Sequence, residues 1–299
     1  MRIFVTGATG FIGSAVVTEL IGAGHQVTGL ARSDQAAAKL EKAGARARRG
    51  DLEDLDSLRA GAAESDGVIH TAFTNISATT SFPDAARADL HAIQAIGAAL
   101  EGSGKPFAVT SGTGVLKVGR VGTEEDAPDP ASHAALRIPS EAATLALAAR
   151  GVRSMVVRLS FSVHGDGDHG FVPDLIEMAE AKGFSAYPGD GANRWPAVHR
   201  LDAARLFRLA VESAPAGARL HGVADEGVPF REIAAVIGRH LDLPLKSLAG
   251  DELAGHFGWL AGFVAADAPA SSELTRKLLG WQPTGPGLLA DIDTGRYFD

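Results

Sequence analysis

Residues 6–13 read TGATGFIG, with glycines at Gly7, Gly10 and Gly13. An apolar run, residues 2–6 (RIFVT), precedes the loop, and Ile12, Val16 and Leu20 follow at helical spacing. A glycine loop between a strand and a helix suits phosphate binding. The first glycine permits the turn, the second lets the backbone approach a pyrophosphate, and the third lets the helix pack closely on the strand. Free N–H groups at the helix start then meet the negative charge. Gly7, Thr9, Gly10, Phe11, Ile12 and Gly13 are the expected contacts.

Two further stretches carry groups able to move protons. Ser111 and Thr113 follow the apolar run Phe107–Thr110, and a hydroxyl there can donate to a developing alkoxide. A turn serine in SGTG is the plainer alternative. Residues 164–170 read HGDGDHG, bringing His164, Asp166, Asp168 and His169 together. The spacing does not match a helical His-x-x-x-His site and the glycines favour a turn, so no metal site is expected. His164 is a candidate pocket residue, because an imidazole suits proton transfer near neutral pH. His133 is a weaker candidate, and His199 reads as structural.

These groups need a scaffold. Strand-like runs at 2–6, 27–30, 67–70, 107–110 and 154–159 alternate with helical patterns at 12–23, 34–43, 54–63, 84–101 and 141–150. The runs are continuously apolar, which predicts a parallel sheet covered on both faces. The expected fold class is α/β: a Rossmann-type doubly wound parallel sheet with a smaller C-terminal α/β substrate lobe. After residue 163 the regularity breaks, and glycines, prolines and aromatics crowd 164–198. A helix at 200–213 should return to the sheet. A short strand near 219–224 and helices at 229–241 and 272–279 should follow. The expected domains are 1–163, which binds a dinucleotide, and 164–299, which mainly binds substrate over the carboxyl ends of the strands.

Composition narrows the function classes. A formal net charge of −8 over 299 residues argues against nucleic-acid binding. Arg46, Arg48 and Arg49 read as a solvated strand edge. There are no cysteines, hence no disulfide or thiolate chemistry. No apolar run is long enough to span a bilayer, and the glycine-broken N-terminus reads as a strand, not a signal peptide. A cytoplasmic protein without membrane partners is the expectation.

TGATGFIG resembles the cofactor loop of extended and atypical short-chain dehydrogenase/reductase proteins, the group that includes nucleotide-sugar epimerases and dihydroflavonol reductases. The resemblance covers nearly the whole chain. Gly50-Asp51-Leu52 looks like the family's loop beside the adenine. Val68–Ala72 looks like its fourth strand, which implies that Ala72, Phe73, Thr74 and Asn75 lie near a nicotinamide. Val109-Thr110-Ser111 looks like its fifth strand with the active-site serine. Residues 163–168 (VHGDGD) and 197–202 (AVHRLD) resemble two later family segments. The second strand ends Leu30-Ala31-Arg32-Ser33, without the acidic residue that usually bonds an NAD ribose. Arg32 can pair with a 2′-phosphate, and Ser33 can add a hydroxyl. NADP(H) is therefore expected over NAD(H).

Family members carry a Tyr four residues before a Lys on one helix, and the Lys lowers the phenol's pKa. This chain has only Tyr187 and Tyr297, neither with a Lys four residues on, and no Lys between 118 and 181. Matching the family motif to residues 137–143 (RIPSEAA) puts Arg137 at the Tyr position and Glu141 at the Lys position. Either Arg137 faces the site, binding an anionic substrate or cofactor phosphate with Glu141 orienting it, or both face solvent. A guanidinium is a poor proton donor, so Ser111, Thr113 or His164 must support the oxygen.

The resemblance implies an NADP(H)-dependent oxidoreductase acting on a small carbonyl or alcohol substrate without the Tyr–Lys pair. Two alternatives stand beside it: a dinucleotide-binding regulatory protein without catalysis, and a redox-neutral epimerase or isomerase with tightly held cofactor. Phe161, Phe171, Tyr187 and Trp195 are expected to wall a mixed pocket, with Trp259 and Phe263 packing or covering it. The Ala-rich helices 84–101 and 134–150 match those that pair related proteins into homodimers.

Overall fold

The computed structural model describes residues 1–73 and 81–298. Its first half alternates strands β1 (Arg2–Thr6), β2 (Gln26–Ala31), β3 (Arg46–Arg49), β4 (Gly67–His70), β5 (Pro106–Gly112) and β6 (Arg153–Leu159) with helices α1 (Phe11–Gly22), α2 (Asp34–Lys42), α3 (Leu55–Ala63), α4 (Phe82–Leu100) and α5 (Ile138–Ala146). The second half runs β7 (Ser162–His164), α6 (Phe171–Lys182), β8 (Ser185–Pro188), β9 (Arg194–His199), α7 (Arg200–Ser213), β10 (Ala218–Gly222), β11 (Asp225–Pro229), α8 (Phe230–His240), β12 (Leu245–Leu248), α9 (Gly250–Phe257), α10 (Ala261–Ala265), α11 (Glu273–Leu279) and α12 (Leu288–Asp293).

Seven parallel strands form the central sheet, in the order β10-β6-β5-β4-β1-β2-β3. The order reverses between β1 and β4, and open α/β sheets bind ligands beyond the strand ends at such a point. Successive side chains of a strand face opposite sides. Ile3 and Val5 pack with Val16, Leu20, Phe207 and Val211 on one face, while Phe4 packs with Leu58, Ile93 and Ile96 on the other. Both faces are covered, so the strands are apolar throughout. The Arg46–Arg49 run forms the edge strand β3, with Arg48 paired to Glu64 and Arg49 to Asp34.

The chain returns to the sheet through α7, which packs on α1, and then through β10 as the seventh strand. A separate core holds Trp195, Phe230, Ile233, Ile237, Phe257 and Val264. It is built around two small sheets, β11-β9-β7 and β12-β8. The stretch expected as one helix over 134–150 divides into a 3₁₀ turn at Ala135–Arg137, α5, and a 3₁₀ turn at Leu147–Arg150. Pro139 occupies the first turn of α5, where its missing N–H costs nothing.

A buried ion pair ties α5 to β6. Arg158 and Glu141 are both almost fully buried. The Arg158 Nε donates to Glu141 at 3.1 Å and its Nη2 donates to the other carboxylate oxygen. The Arg158 Nη1 donates to the Asp126 carbonyl at 3.0 Å and lies 3.4 Å from His221 Nε2. His221 Nδ1 is 2.8 Å from the Ser271 carbonyl, so that nitrogen carries the proton and Nε2 accepts. Burial, and then the Arg158 charge, push His221 down to about 4, in keeping with this neutral tautomer.

Removing one partner of a buried pair strands the other charge, at a cost of about 3–5 kcal/mol. Glu141→Ala is expected to lower unfolding free energy by about that amount in urea titration. The double change Glu141→Leu with Arg158→Met is expected to recover most of the loss, and a double variant as unstable as the single one refutes this account.

Candidate active site

The glycine loop is shaped by close approach. Gly7 has φ +68°, and a Cβ there would lie 2.6 Å from the Ala72 nitrogen. A Cβ on Gly13 would lie 2.0 Å from the Gly7 carbonyl oxygen. The chain therefore folds back against α1 and against the residues after β4 only because both positions lack a side chain. Gly10 caps α1 without a side-chain hydrogen bond, which leaves first-turn N–H groups for a ligand. Beneath the loop, Thr6 Oγ1 lies 2.7 Å from His70 Nδ1, and His70 Nε2 lies 3.1 Å from Asp89. This cradle fits the diphosphate of a dinucleotide, which Gly7, Gly10, Phe11, Ile12 and Gly13 would hold. Thr9 is exposed at the loop tip.

Past the loop, Arg32 is exposed just after β2. The neighbouring acid, Asp34, pairs with Arg49 at 3.3 Å. Ser33 Oγ accepts from the Ala36 N–H and caps α2. Asp51 Oδ1 accepts from the Glu53 and Asp54 N–H groups, so it shapes its loop, and Leu52 packs under it on the second sheet face.

A cavity of about 300 Å³ opens from the glycine loop. One wall is Gly7, Gly10, Phe11, Ile12, Thr71 and Phe73. The facing wall is Phe161, Val163, Phe171 and Trp259, with Asp168, His169 and Asp174 between them. Asp168 Oδ1 accepts from the Gly170 N–H at 2.8 Å and its Oδ2 accepts from the Tyr297 hydroxyl at 3.1 Å. Burial outweighs these bonds and pushes the Asp168 carboxyl up to about 6. Tyr297 accepts in turn from the Gly165 N–H, and burial raises its phenol above the usual range. The His169 ring lies 5.7 Å from that of Phe11. On the far side of the loop Arg200 donates to Ser14 Oγ at 3.1 Å and sits 4.8 Å from the Phe11 ring.

The expected catalytic residues disperse. Ser111 is buried and donates to Glu141 at 3.1 Å. Glu141 is engaged by Arg158 and does not orient Arg137. Arg137 instead donates to the Thr110 carbonyl at 2.7 Å, lies 3.6 Å from Asp89, and covers the Phe73 ring at 4.0 Å. It thus supports Phe73 from behind and is neither solvent-facing nor on the cavity wall. Burial raises the Asp89 carboxyl, but the Arg137 charge and the His70 bond outweigh this and hold it below the carboxylate range. His164 is fully buried on Asp291, with Nδ1 at 2.8 Å. Among the described residues, Thr113 Oγ1 is buried without a hydrogen-bond partner, and the next residue, Gly114, abuts Phe161 and Ala134. Thr74 and Asn75 lie outside the described residues. Among the expected aromatics, Trp195 and Phe263 back the wall, while Tyr187 lies on β8, away from it.

Asp168, His169, Asp174, Tyr297 and Arg200 were not anticipated as site residues. The HGDGDHG stretch held a usable cue: its carboxylates and imidazoles need not be metal ligands to line a pocket. Among the described residues, no group of three or more His, Asp or Glu side chains is placed to hold a metal ion.

The sheet order, the glycine cradle and the cavity at the switch point define a Rossmann-type dinucleotide-binding protein. Residues 3–221 match the family model of the NAD dependent epimerase/dehydratase family, and the chain belongs to that family. It is similar to an uncharacterised protein of Schizosaccharomyces pombe, 49% identical over 300 residues and the full length of both chains. It is also similar to a 4-hydroxy-2-methyl-3-oxo-4-farnesyl-3,4-dihydroquinoline-1-oxide ketoreductase of Stigmatella aurantiaca, at 30% identity over 73% of this chain and 66% of that one. Among solved structures, MoeE5 in complex with UDP-glucuronic acid and NAD superimposes with a TM-score of 0.76 at 25% identity, over 98% of this chain and 97% of that one. The chain thus has the NAD(P)-binding fold of its family, and its relatives include reductases.

The Tyr297 hydroxyl bond favours the charged form of Asp168. Tyr297→Phe is therefore expected to move the Asp168 titration above its value of about 6, read by NMR of a ¹³C-labelled carboxyl. An unchanged or lower midpoint contradicts the bond.

Proposed function

We propose that this protein is an NADP(H)-dependent oxidoreductase acting on a small carbonyl or alcohol substrate without a Tyr–Lys pair. The observation that carries the reading is the placement of a proton-exchanging carboxyl, Asp168, on a cavity whose other wall is the glycine loop. When bound, the cofactor supplies a hydride to a carbonyl carbon, and the carbonyl oxygen gains a proton to become a hydroxyl. Asp168 holds a proton at a carboxyl oxygen near pH 6 and is the group positioned to give it. Tyr297 and the Gly170 N–H orient that carboxyl. Phe73, braced by Arg137, walls the inner end. Arg32 holds the 2′-phosphate that distinguishes NADP(H), since the acid beside it is engaged by Arg49.

A second reading is a dinucleotide-binding protein without redox chemistry. It is favoured by Ser111 and Glu141 being committed to a buried structural network. Turnover separates the two: a sensor binds cofactor and never oxidises it.

Calorimetric titration is expected to give tighter binding of NADPH than of NADH. Arg32→Ala should cost about tenfold in NADPH affinity, one charge-assisted bond, and little in NADH affinity. Equal loss for both cofactors removes the 2′-phosphate assignment. The pH profile tests Asp168. An acid that must be protonated makes reduction fall as pH rises through about 6, while the reverse oxidation rises through the same range. Asp168→Asn should lower turnover by about 10²–10⁴-fold and flatten this limb. A variant that keeps the wild-type profile refutes the role.

A further inference from the structure

The cavity's outer wall is aromatic. The Phe171 ring lies 5.9 Å from Trp259, 5.4 Å from Phe263 and 5.5 Å from Trp195, and Phe161 packs edge-on to Trp195 and Phe263. The Trp195 Nε1–H is satisfied by the Phe263 carbonyl, so the cluster is anchored and presents ring surface. Trp259 is still 45% exposed, the state of a large apolar side chain that a ligand can cover.

Apart from the imidazole of His169, the ionisable groups on this wall among the described residues are acidic. Asp168 and Asp174 line the cavity, and no Lys or Arg does so among the described residues. Burial, then the Glu177 charge, raise the Asp174 carboxyl. The nearby cations are already placed. Arg137 lies behind Phe73 against Asp89, and Arg200 lies across Phe11 against α1, where the dinucleotide phosphates fit. A second phosphate or a carboxylate on the substrate would be desolvated beside two acids, with no Lys or Arg among the described residues to pair it, which is costly.

We infer that the cavity takes an uncharged, ring-bearing carbonyl compound and turns away anionic ones, nucleotide sugars included, with Trp259 and Asp174 setting this choice. The inference rests on the oxidoreductase reading for its word carbonyl, and on the cavity alone for ring and charge. Selection arises from what the site lacks as much as from what it offers.

The test uses the full chain with NADPH and three probes: acetophenone, 4-acetylbenzoate and UDP-glucose. Binding is read from quenching of Trp259, with Trp259→Phe as the control because Trp195 and Trp281 are fully buried. Turnover is read separately from NADPH absorbance. Acetophenone is expected to bind at least about tenfold more tightly than 4-acetylbenzoate, and UDP-glucose not at all. Asp174→Asn should narrow the acetophenone to 4-acetylbenzoate ratio, and Trp259→Ala should weaken acetophenone without changing NADPH affinity. Equal or tighter binding of either anion, or a ratio untouched by Asp174→Asn, overturns the inference. Acetophenone bound in the expected ratio but never reduced upholds the selection and removes the oxidoreductase reading instead.

Discussion

The buried pairing of Glu141 with Arg158 is the interaction on which the arrangement around the cavity depends. Two charges inside the fold must be matched closely, because the interior offers no water to screen a stray one. Arg158 therefore binds both Glu141 oxygens and reaches the Asp126 carbonyl as well. Ser111 completes the set by donating to the same carboxylate. The helix that would present reactive groups to the cavity is instead anchored to β6. The hydroxyl at the end of β5 is drawn inward with it.

A second chain of buried polar groups runs from Thr6 through His70 and Asp89 to Arg137. It begins one residue before the glycine loop and ends on the Phe73 ring. Cradle and inner wall thus share one support. With the β5 and α5 positions committed to structure, the titratable groups on the cavity come from the β7–α6 loop and the start of α6: Asp168, His169 and Asp174. Tyr297, near the end of the chain, holds that loop at Gly165 and Asp168. Elements far apart in sequence therefore meet at one carboxyl.

Much of the scaffold was legible beforehand, for local reasons. Short apolar runs such as Gly67–Ile69, alternating with helical patterns, suit strands covered on both sides. Glycines at 7, 10 and 13 mark a phosphate loop, and at 7 and 13 no other residue permits the close approach. The site was less legible. Arg137 and Glu141, four residues apart, suggested a pair on one helix face. Each found a nearer partner on another element, Asp89 on α4 and Arg158 on β6. His164 and His169 looked equivalent in HGDGDHG. One turned into the core against Asp291, and the other lines the cavity.

Residue type, period and spacing thus determined the sheet, the loop and the kind of ligand the loop suits, since these depend on backbone geometry and on which side chains can be buried. They also established that no tyrosine precedes a lysine by four residues. Only the tertiary structure decided which polar groups are spent on one another and which stay open to a ligand. A buried charge takes whichever counter-charge the packing brings near, and those partners lie 17, 48 and 127 residues away, from Glu141 to Arg158, Asp89 to Arg137 and His164 to Asp291.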